Sequence, residues 1–257
     1  DVDRRVLGGM LLAAAAFYLP SLTVGMFADD YVLRAATDGW DLVPAAWEHF
    51  RPLPLAVWAL LGSLGASAPV FHAVNVALHG LNGYLTYRLT RELGESAEVA
   101  LVVAALWLGF PGSVEAGTWL SGLHDVLMVT LVMSFLIAAS RGQSAVAIVC
   151  LVLATFSKET AVCTPVLLLL LRFRRRIATP LIVTAFAWCL LFGLARLAFK
   201  PTDGLFEPLT GFLAKNLLAS LYGSLAMPWT REQMFAYPWL LSTLVIATAM
   251  VFSLAIA

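Results

Sequence analysis

Two adjacent aspartates, Asp29 and Asp30, stand in the stretch MFADDYVLR, directly after the first apolar run of the chain. A carboxylate at a membrane–water boundary, partly desolvated, can take a proton from a hydroxyl and so serve as a general base. Its neighbour would tune its pKa or help hold a divalent cation. The same pair also reads as a helix N-cap that accepts amide protons from the turn DYVLRAA. Arg51, in EHFRPLPLAVW, stands just before Pro52. It fits either a snorkelling contact with any lipid phosphate or a seat for the phosphate of one particular lipid substrate. In FSKET, Lys158 and Glu159 adjoin. They read as an ion pair that softens a burial cost of roughly a few kcal/mol per charge, or with Lys158 as a second phosphate contact.

A further cluster lies in FPGSVEAGTWLSGLHDVL, which holds Glu115, Trp119, Ser121, His124 and Asp125. Acid, indole and imidazole together can bind a sugar, the indole stacking on its apolar face and the acids taking its hydroxyls. An ordinary turn, with Asp125 capping the next helix, is the alternative, and His124 as a metal ligand is a weaker one. His72, Asn75, His79 and Asn82 follow one another at steps of three, four and three, so all four share one helix face. Interhelical hydrogen bonds in lipid use such a stripe, and a metal or proton path is the other use. No Walker-type loop, GxSxG elbow, HExxH or CxxC occurs. Cys150, Cys163 and Cys189 all fall in apolar runs, which fits packing rather than disulfides or zinc.

These residues are carried by a chain of 257 residues that is 61% hydrophobic and 12% charged, with a mean hydropathy of +0.87. Such a composition lacks the polar surface that a soluble domain of this length needs. The formal net charge is zero, and no nucleic-acid signature is present. Apolar blocks predict spans near 6–26, 69–88, 97–111, 125–140, 144–157, 160–172, 177–199 and 237–257. The first could be taken for a cleaved secretory signal, but no convincing small-x-small site precedes the polar loop. The piece at 52–65 is short and reads as a helix lying in the interface, with Trp58 near the headgroups. The expected fold class is therefore all-α: a polytopic membrane protein of about eight transmembrane helices plus an interfacial helix in the first exterior loop. Residues 1–236 form the expected module, with exterior loops at 27–68 and 200–236. The apolar run 237–257 is a further expected span, and the chain is expected to continue beyond it.

Charge bias orients this arrangement. With the N-terminus cytoplasmic, short inner turns hold Arg4, Arg5, Arg88, Arg91, Arg141, Arg172, Arg174, Arg175 and Arg176, nine of the sixteen basic residues. Arg34, Arg51, Lys158, Lys200, Lys215 and Arg231 are spread over longer exterior segments. That obeys the positive-inside rule, and counting 52–65 as a span would break it. The acids Asp29, Asp30, Asp38, Asp41, Glu48, Glu115, Asp125, Glu159, Asp203, Glu207 and Glu232 then all face outward. The polar chemistry belongs to the exterior, periplasmic face of a bacterial inner membrane.

Taken in order, the acidic pair after the first span, FRPL…W, FHAVNVALHGLNGYLTYRL, FPGSVEAGTWLSGLHDVL and SKET form a recognisable series. The series resembles the GT-C superfamily of membrane glycosyltransferases. Within it the likeness is to the protein O-mannosyltransferase-like branch, including the transmembrane mannosyltransferases that carry tetratricopeptide repeats. It covers roughly residues 6–172, and the remainder only in hydropathy. The resemblance implies transfer of a sugar, such as mannose, from a polyprenyl-phosphate carrier to a protein, lipid or glycan acceptor. It implies that Asp29 or Asp30 is the catalytic base, with Asp29 favoured. Arg51 matches the position that contacts the carrier phosphate. Lys158 and Glu159 match the family's KE pair, and Glu115 with Asp125 match the acids of its second exterior loop. Members of the family have more spans and often a soluble C-terminal domain. The alternative expectation is a non-catalytic subunit of a larger membrane complex, assembled with other membrane subunits on the same scaffold.

Overall fold

A chain surrounded by hydrocarbon must satisfy its own backbone hydrogen bonds, so apolar blocks of this kind fold as helices. A computed structural model of the chain describes residues 2–38, 40, 42, 50–110, 113–172 and 175–199. Among the described residues the regular structure is helical throughout, with no strand. The expected span 237–257, the loop 200–236, and the acids Asp41, Glu48, Asp203, Glu207 and Glu232 lie outside them.

Helix α1 (Val2–Tyr18) runs into a 3₁₀ turn, Leu19–Thr23, and α2 (Asp29–Thr37) follows a short bend. Then come α3 (Pro52–Ser63), α4 (Ala68–Glu92), α5 (Ala97–Leu108) and the single turn α6 (Val114–Thr118). The chain continues with α7 (Leu123–Ser140), α8 (Ser144–Ser157), a 3₁₀ turn Glu159–Cys163, α9 (Thr164–Arg172) and α10 (Thr179–Phe199). Among the described residues, three helical stretches are long and apolar enough to cross a membrane: Val2–Thr23, Leu120–Ser140 and Thr179–Arg196. α5 and α8 have 12 and 14 residues, which is about 18 and 21 Å of rise against a hydrocarbon core of about 30 Å. α9 is shorter still, at nine residues. α4 has length enough at 25 residues, but its polar stripe lowers its hydropathy.

The stripe holds the bundle together. His72 donates through Nε2 to the Val24 carbonyl at 3.1 Å, and His79 through Nε2 to the Leu108 carbonyl at 3.3 Å. Asn75 donates to the Trp119 carbonyl at 2.8 Å, and Asn82 to the Val126 carbonyl at 2.9 Å. All four residues are buried, and each bond ties α4 to another element, as the spacing predicts. α4 runs alongside α1, α5 and α7, while α8 returns against α7. One apolar core lies among α7, α8, α9 and α10, and another among α1, α4 and α5.

Trp58 is fully buried, with its ring 4.5 Å from that of Phe71, in a core shared with Leu120, Leu123 and Val126. α3 packs against α2, α7 and α8, so the indole faces protein rather than lipid.

Gly80 lets α1 approach α4 closely: a Cβ there would lie 3.0 Å from the Leu11 Cα and 3.1 Å from the Ala14 Cβ. Replacing a helical glycine by alanine ordinarily adds up to about 1 kcal/mol of helix propensity. Here the obstacle is backbone, which cannot turn aside. Overpacking of about 1–3 kcal/mol therefore wins. Gly80→Ala is expected to lower the thermal unfolding midpoint of the purified chain, and an unchanged or raised midpoint would contradict this packing.

Candidate functional site

At one end of the helices, residues far apart in the chain close around a cavity of about 780 Å³. Asp29 from α2, Arg51 at the head of α3 and Lys158 after α8 all line it. So do Glu115 and Trp119 from the α6 region, and His124 and Asp125 from the first turn of α7. Asp30 and Glu159 do not line it. The opposite end of the bundle carries the pairs Arg88–Asp3 at 2.8 Å and Arg141–Glu92 at 2.5 Å.

The two aspartates have separate fates. Asp30 is 0% exposed. One of its oxygens accepts from the Ser121 amide at 2.9 Å and the Ser121 hydroxyl at 2.6 Å, and the other accepts from the Phe27 amide at 3.1 Å. Asp29 is exposed and, among the described residues, its carboxylate has no hydrogen-bond or ion-pair partner. Neither caps α2: the N-cap is Ala28, with no side-chain cap bond. The N-cap reading fails because Asp30 turns back to Phe27 and across to Ser121 rather than forward into the helix. Ala28 takes φ 50° and ψ −123°, a sparsely populated region for a residue with a Cβ that costs of order 1–3 kcal/mol. The hydrogen bonds of Asp30 on both sides of this bend hold it, and the bend leaves Asp29 facing the cavity.

Lys158 and Glu159 do not pair with each other. Lys158 at the α8 exit is extended, at φ −157° and ψ 139°, before the 3₁₀ turn that starts at Glu159, and the two side chains point apart. Lys158 Nζ meets Asp125 Oδ1 at 2.5 Å. Glu159 accepts a two-pronged bond from Arg51, Nε at 3.1 Å and Nη2 at 2.7 Å. Asp125 therefore spends its carboxylate on Lys158, and the N-cap of α7 is Gly122. His124 is buried and bonds through Nδ1 to the Ser121 carbonyl at 2.5 Å. A carbonyl only accepts, so Nδ1 carries the proton and Nε2 is the acceptor nitrogen.

Burial raises the Glu159 carboxyl, but the Arg51 hydrogen bonds, its own backbone amide and the charges of Arg51 and Arg196 outweigh that and leave it below the ordinary value of 4.5. As pH falls the unfolded chain takes up this proton first. The pair's contribution is thus complete above pH 4.5 and is lost as pH falls through the lower folded value. Between about pH 7 and 5, Glu159→Gln is expected to show a constant stability deficit against the wild type, shrinking only in more acid solution. Thermal melts of both chains across that range check this, and a deficit that closes near neutral pH would contradict it.

Trp119 stacks on Phe27, with centroids 5.8 Å apart and planes at 17°. Its indole N–H and that of Trp107 are buried without a partner, and both rings line the cavity. Glu115 is exposed toward the same space. The wall thus offers aromatic faces and two open acids, a suitable lining for a hydroxylated ligand. Trp107 gave no signal in the sequence because it lies inside an apolar run. Among the described residues, no group of three His, Cys, Asp or Glu side chains is placed to hold a metal ion.

No family model, no curated protein and no solved structure matches the chain.

Proposed function

We propose that this chain is a membrane glycosyltransferase of the GT-C type. It moves a sugar, such as mannose, from a polyprenyl-phosphate carrier to the hydroxyl of a protein, lipid or glycan acceptor. The observation that carries the reading is the unpartnered carboxylate of Asp29, which shares one cavity with Arg51 and Lys158. Asp29 takes the proton from the acceptor hydroxyl as its oxygen attacks the anomeric carbon. The bond from that carbon to the phosphate oxygen breaks, and the charge left on polyprenyl phosphate is met by Arg51 and Lys158. One base suffices for a single displacement, so the anomeric configuration inverts. A volume of about 780 Å³ suits a sugar phosphate with part of its acceptor. With the turns that hold Arg88, Arg91 and Arg141 on the cytoplasmic side, the cavity opens to the exterior. The eight-span arrangement further requires α4, α5, α8 and α9 to cross with their flanking turns, and the apolar run 237–257, outside the described residues, to supply the eighth span.

A second reading has its own support. Both cavity cations are already paired, Arg51 with Glu159 and Lys158 with Asp125, as in a scaffold whose charges are neutralised for good. In that reading the chain is a non-catalytic subunit of a membrane complex. Membranes holding the full chain, supplied with polyprenyl phosphate carrying a labelled hexose, separate the two. The enzyme reading expects label to enter the protein, glycolipid or glycan fraction only when the wild-type chain is present. Absence of chain-dependent transfer from the mannosyl and glucosyl carriers would overturn it in favour of the subunit.

A further inference from the structure

Arg51 is gripped from one side only. Its Nε and Nη2 both bond to Glu159, which uses the lateral edge of the guanidinium. Among the described residues Nη1 has no hydrogen-bond partner, and it is not among the buried unpartnered atoms. The end-on edge formed by Nη1 and the second Nη2 hydrogen is therefore open, on a residue that lines the cavity. Behind it stands Arg196, near the end of α10. Arg196 Nη1 donates to the Phe50 carbonyl at 3.2 Å and lies 3.7 Å from Glu159 Oε2. Phe50 precedes Arg51, and Arg51 is the N-cap of α3. One guanidinium thus holds both the backbone that leads into Arg51 and the carboxylate that orients its side chain. The Arg196 side chain is 17% exposed and its guanidinium lies over the Phe192 ring at 6.0 Å. Arg196 and Glu159 are not on the cavity lining, so neither is placed to touch a ligand there.

We infer that Arg196, acting through Glu159 and the Phe50 carbonyl, is a positioning residue that presents the end-on fork of Arg51 to a phosphate bound in the cavity. The inference rests on the proposed carrier-phosphate role of Arg51. A tetrahedral phosphate with two free oxygens matches a two-pronged guanidinium edge, which a lysine cannot imitate. A fork held in place in advance loses less freedom on binding than a swinging one. Arg196 thereby acquires a function distinct from closing a gap between helices: its loss is felt by the phosphate and not by an apolar tail.

The test uses the full chain in lipid nanodiscs, with farnesyl phosphate, farnesol and inorganic phosphate as separate titrants. Arg196→Gln is expected to weaken farnesyl phosphate about tenfold, equivalent to about 1.4 kcal/mol, with farnesol unchanged. Arg196→Lys keeps a charge on α10 but on a shorter head without the planar guanidinium, so it recovers part of the loss. It also stands in should Arg196→Gln not fold. In an Arg51→Lys background Arg196→Gln is expected to add no further loss, because it acts only through the fork. Wild-type affinity in Arg196→Gln, an equal loss for farnesol, or full additivity with Arg51→Lys overturns the inference. If the wild type binds inorganic phosphate, loses it in Arg196→Gln, and ignores farnesyl phosphate, the positioning role stands and the lipid-carrier reading falls. A wild type that binds neither phosphate overturns both.

Discussion

Asp29→Asn is expected to lower sugar transfer by about 10²- to 10⁴-fold, the range that a positioned general base contributes. The amide has nearly the shape of the carboxylate, so what is lost is proton affinity and charge rather than volume. Because Asp29 is exposed and has no partner among the described residues, its removal strips no buried group of a hydrogen bond. Stability should change by no more than about 0.5 kcal/mol. In the proposed mechanism Arg51 and Lys158, at other points of the wall, hold the carrier phosphate, so its binding should also survive. The loss then falls on kcat, with KM for the carrier little changed, the pattern of an interaction made at the transition state. Initial rates of transfer at varied carrier concentration separate these quantities. Wild-type turnover in a folded Asp29→Asn chain would remove the base from the mechanism. An equal fall in carrier affinity would recast Asp29 as a binding group.

The parts of this arrangement legible in the sequence are those governed by local rules. Helices α4, α7, α8 and α10 lie where the apolar blocks put them, because hydrocarbon leaves the backbone no other way to satisfy itself. The stripe His72, Asn75, His79, Asn82 could be read as interhelical because four polar side chains on one face of an apolar helix need partners. Pairing across long separations obeys no such rule. Adjacent Lys158 and Glu159 look like a pair in the sequence, yet extended backbone at the α8 exit sends one to Asp125 and the other to Arg51. Trp58 reads as an interfacial anchor because its neighbours are apolar on all sides, and only the packing of α3 on Phe71 shows it to be core. Arg196 did leave a trace, a lone charge inside the apolar run 177–199. An ionisable residue so placed usually has a partner, but the run itself does not say that the partners are Glu159 and the Phe50 carbonyl. The acid doublet shows the same limit: spacing could not say which acid faces the cavity, since that depends on a turn 91 residues away.

Asp30→Ala is expected to cost about 3–5 kcal/mol of stability, because three buried donors lose their acceptor at once and an orphaned buried donor costs about 1–3 kcal/mol. The carboxylate is 0% exposed, and its three bonds satisfy the Phe27 amide, the Ser121 amide and the Ser121 hydroxyl. Alanine leaves all three donors unmet in a space that water does not reach, and hydrogen bonds to a charged group are the stronger kind, at about 1.5–3 kcal/mol each. The sum exceeds the expected cost because the hydroxyl can turn elsewhere and the bend at Ala28 relaxes once nothing holds it. Asparagine grades the effect. With its carbonyl toward Ser121 it keeps two bonds, but its NH₂ then faces the Phe27 amide, donor against donor. Asp30→Asn should therefore fall between wild type and Asp30→Ala, and Ser121→Ala, which removes one hydroxyl bond, should cost less than Asp30→Ala. Thermal or denaturant unfolding of the purified chains gives this order. The comparison with Asp29 decides the assignment of the doublet: a stable, inactive Asp29→Asn beside an unstable Asp30→Ala matches one acid that works on substrate and one that holds the bend. A stable Asp30→Ala whose transfer alone is lost would exchange the two roles.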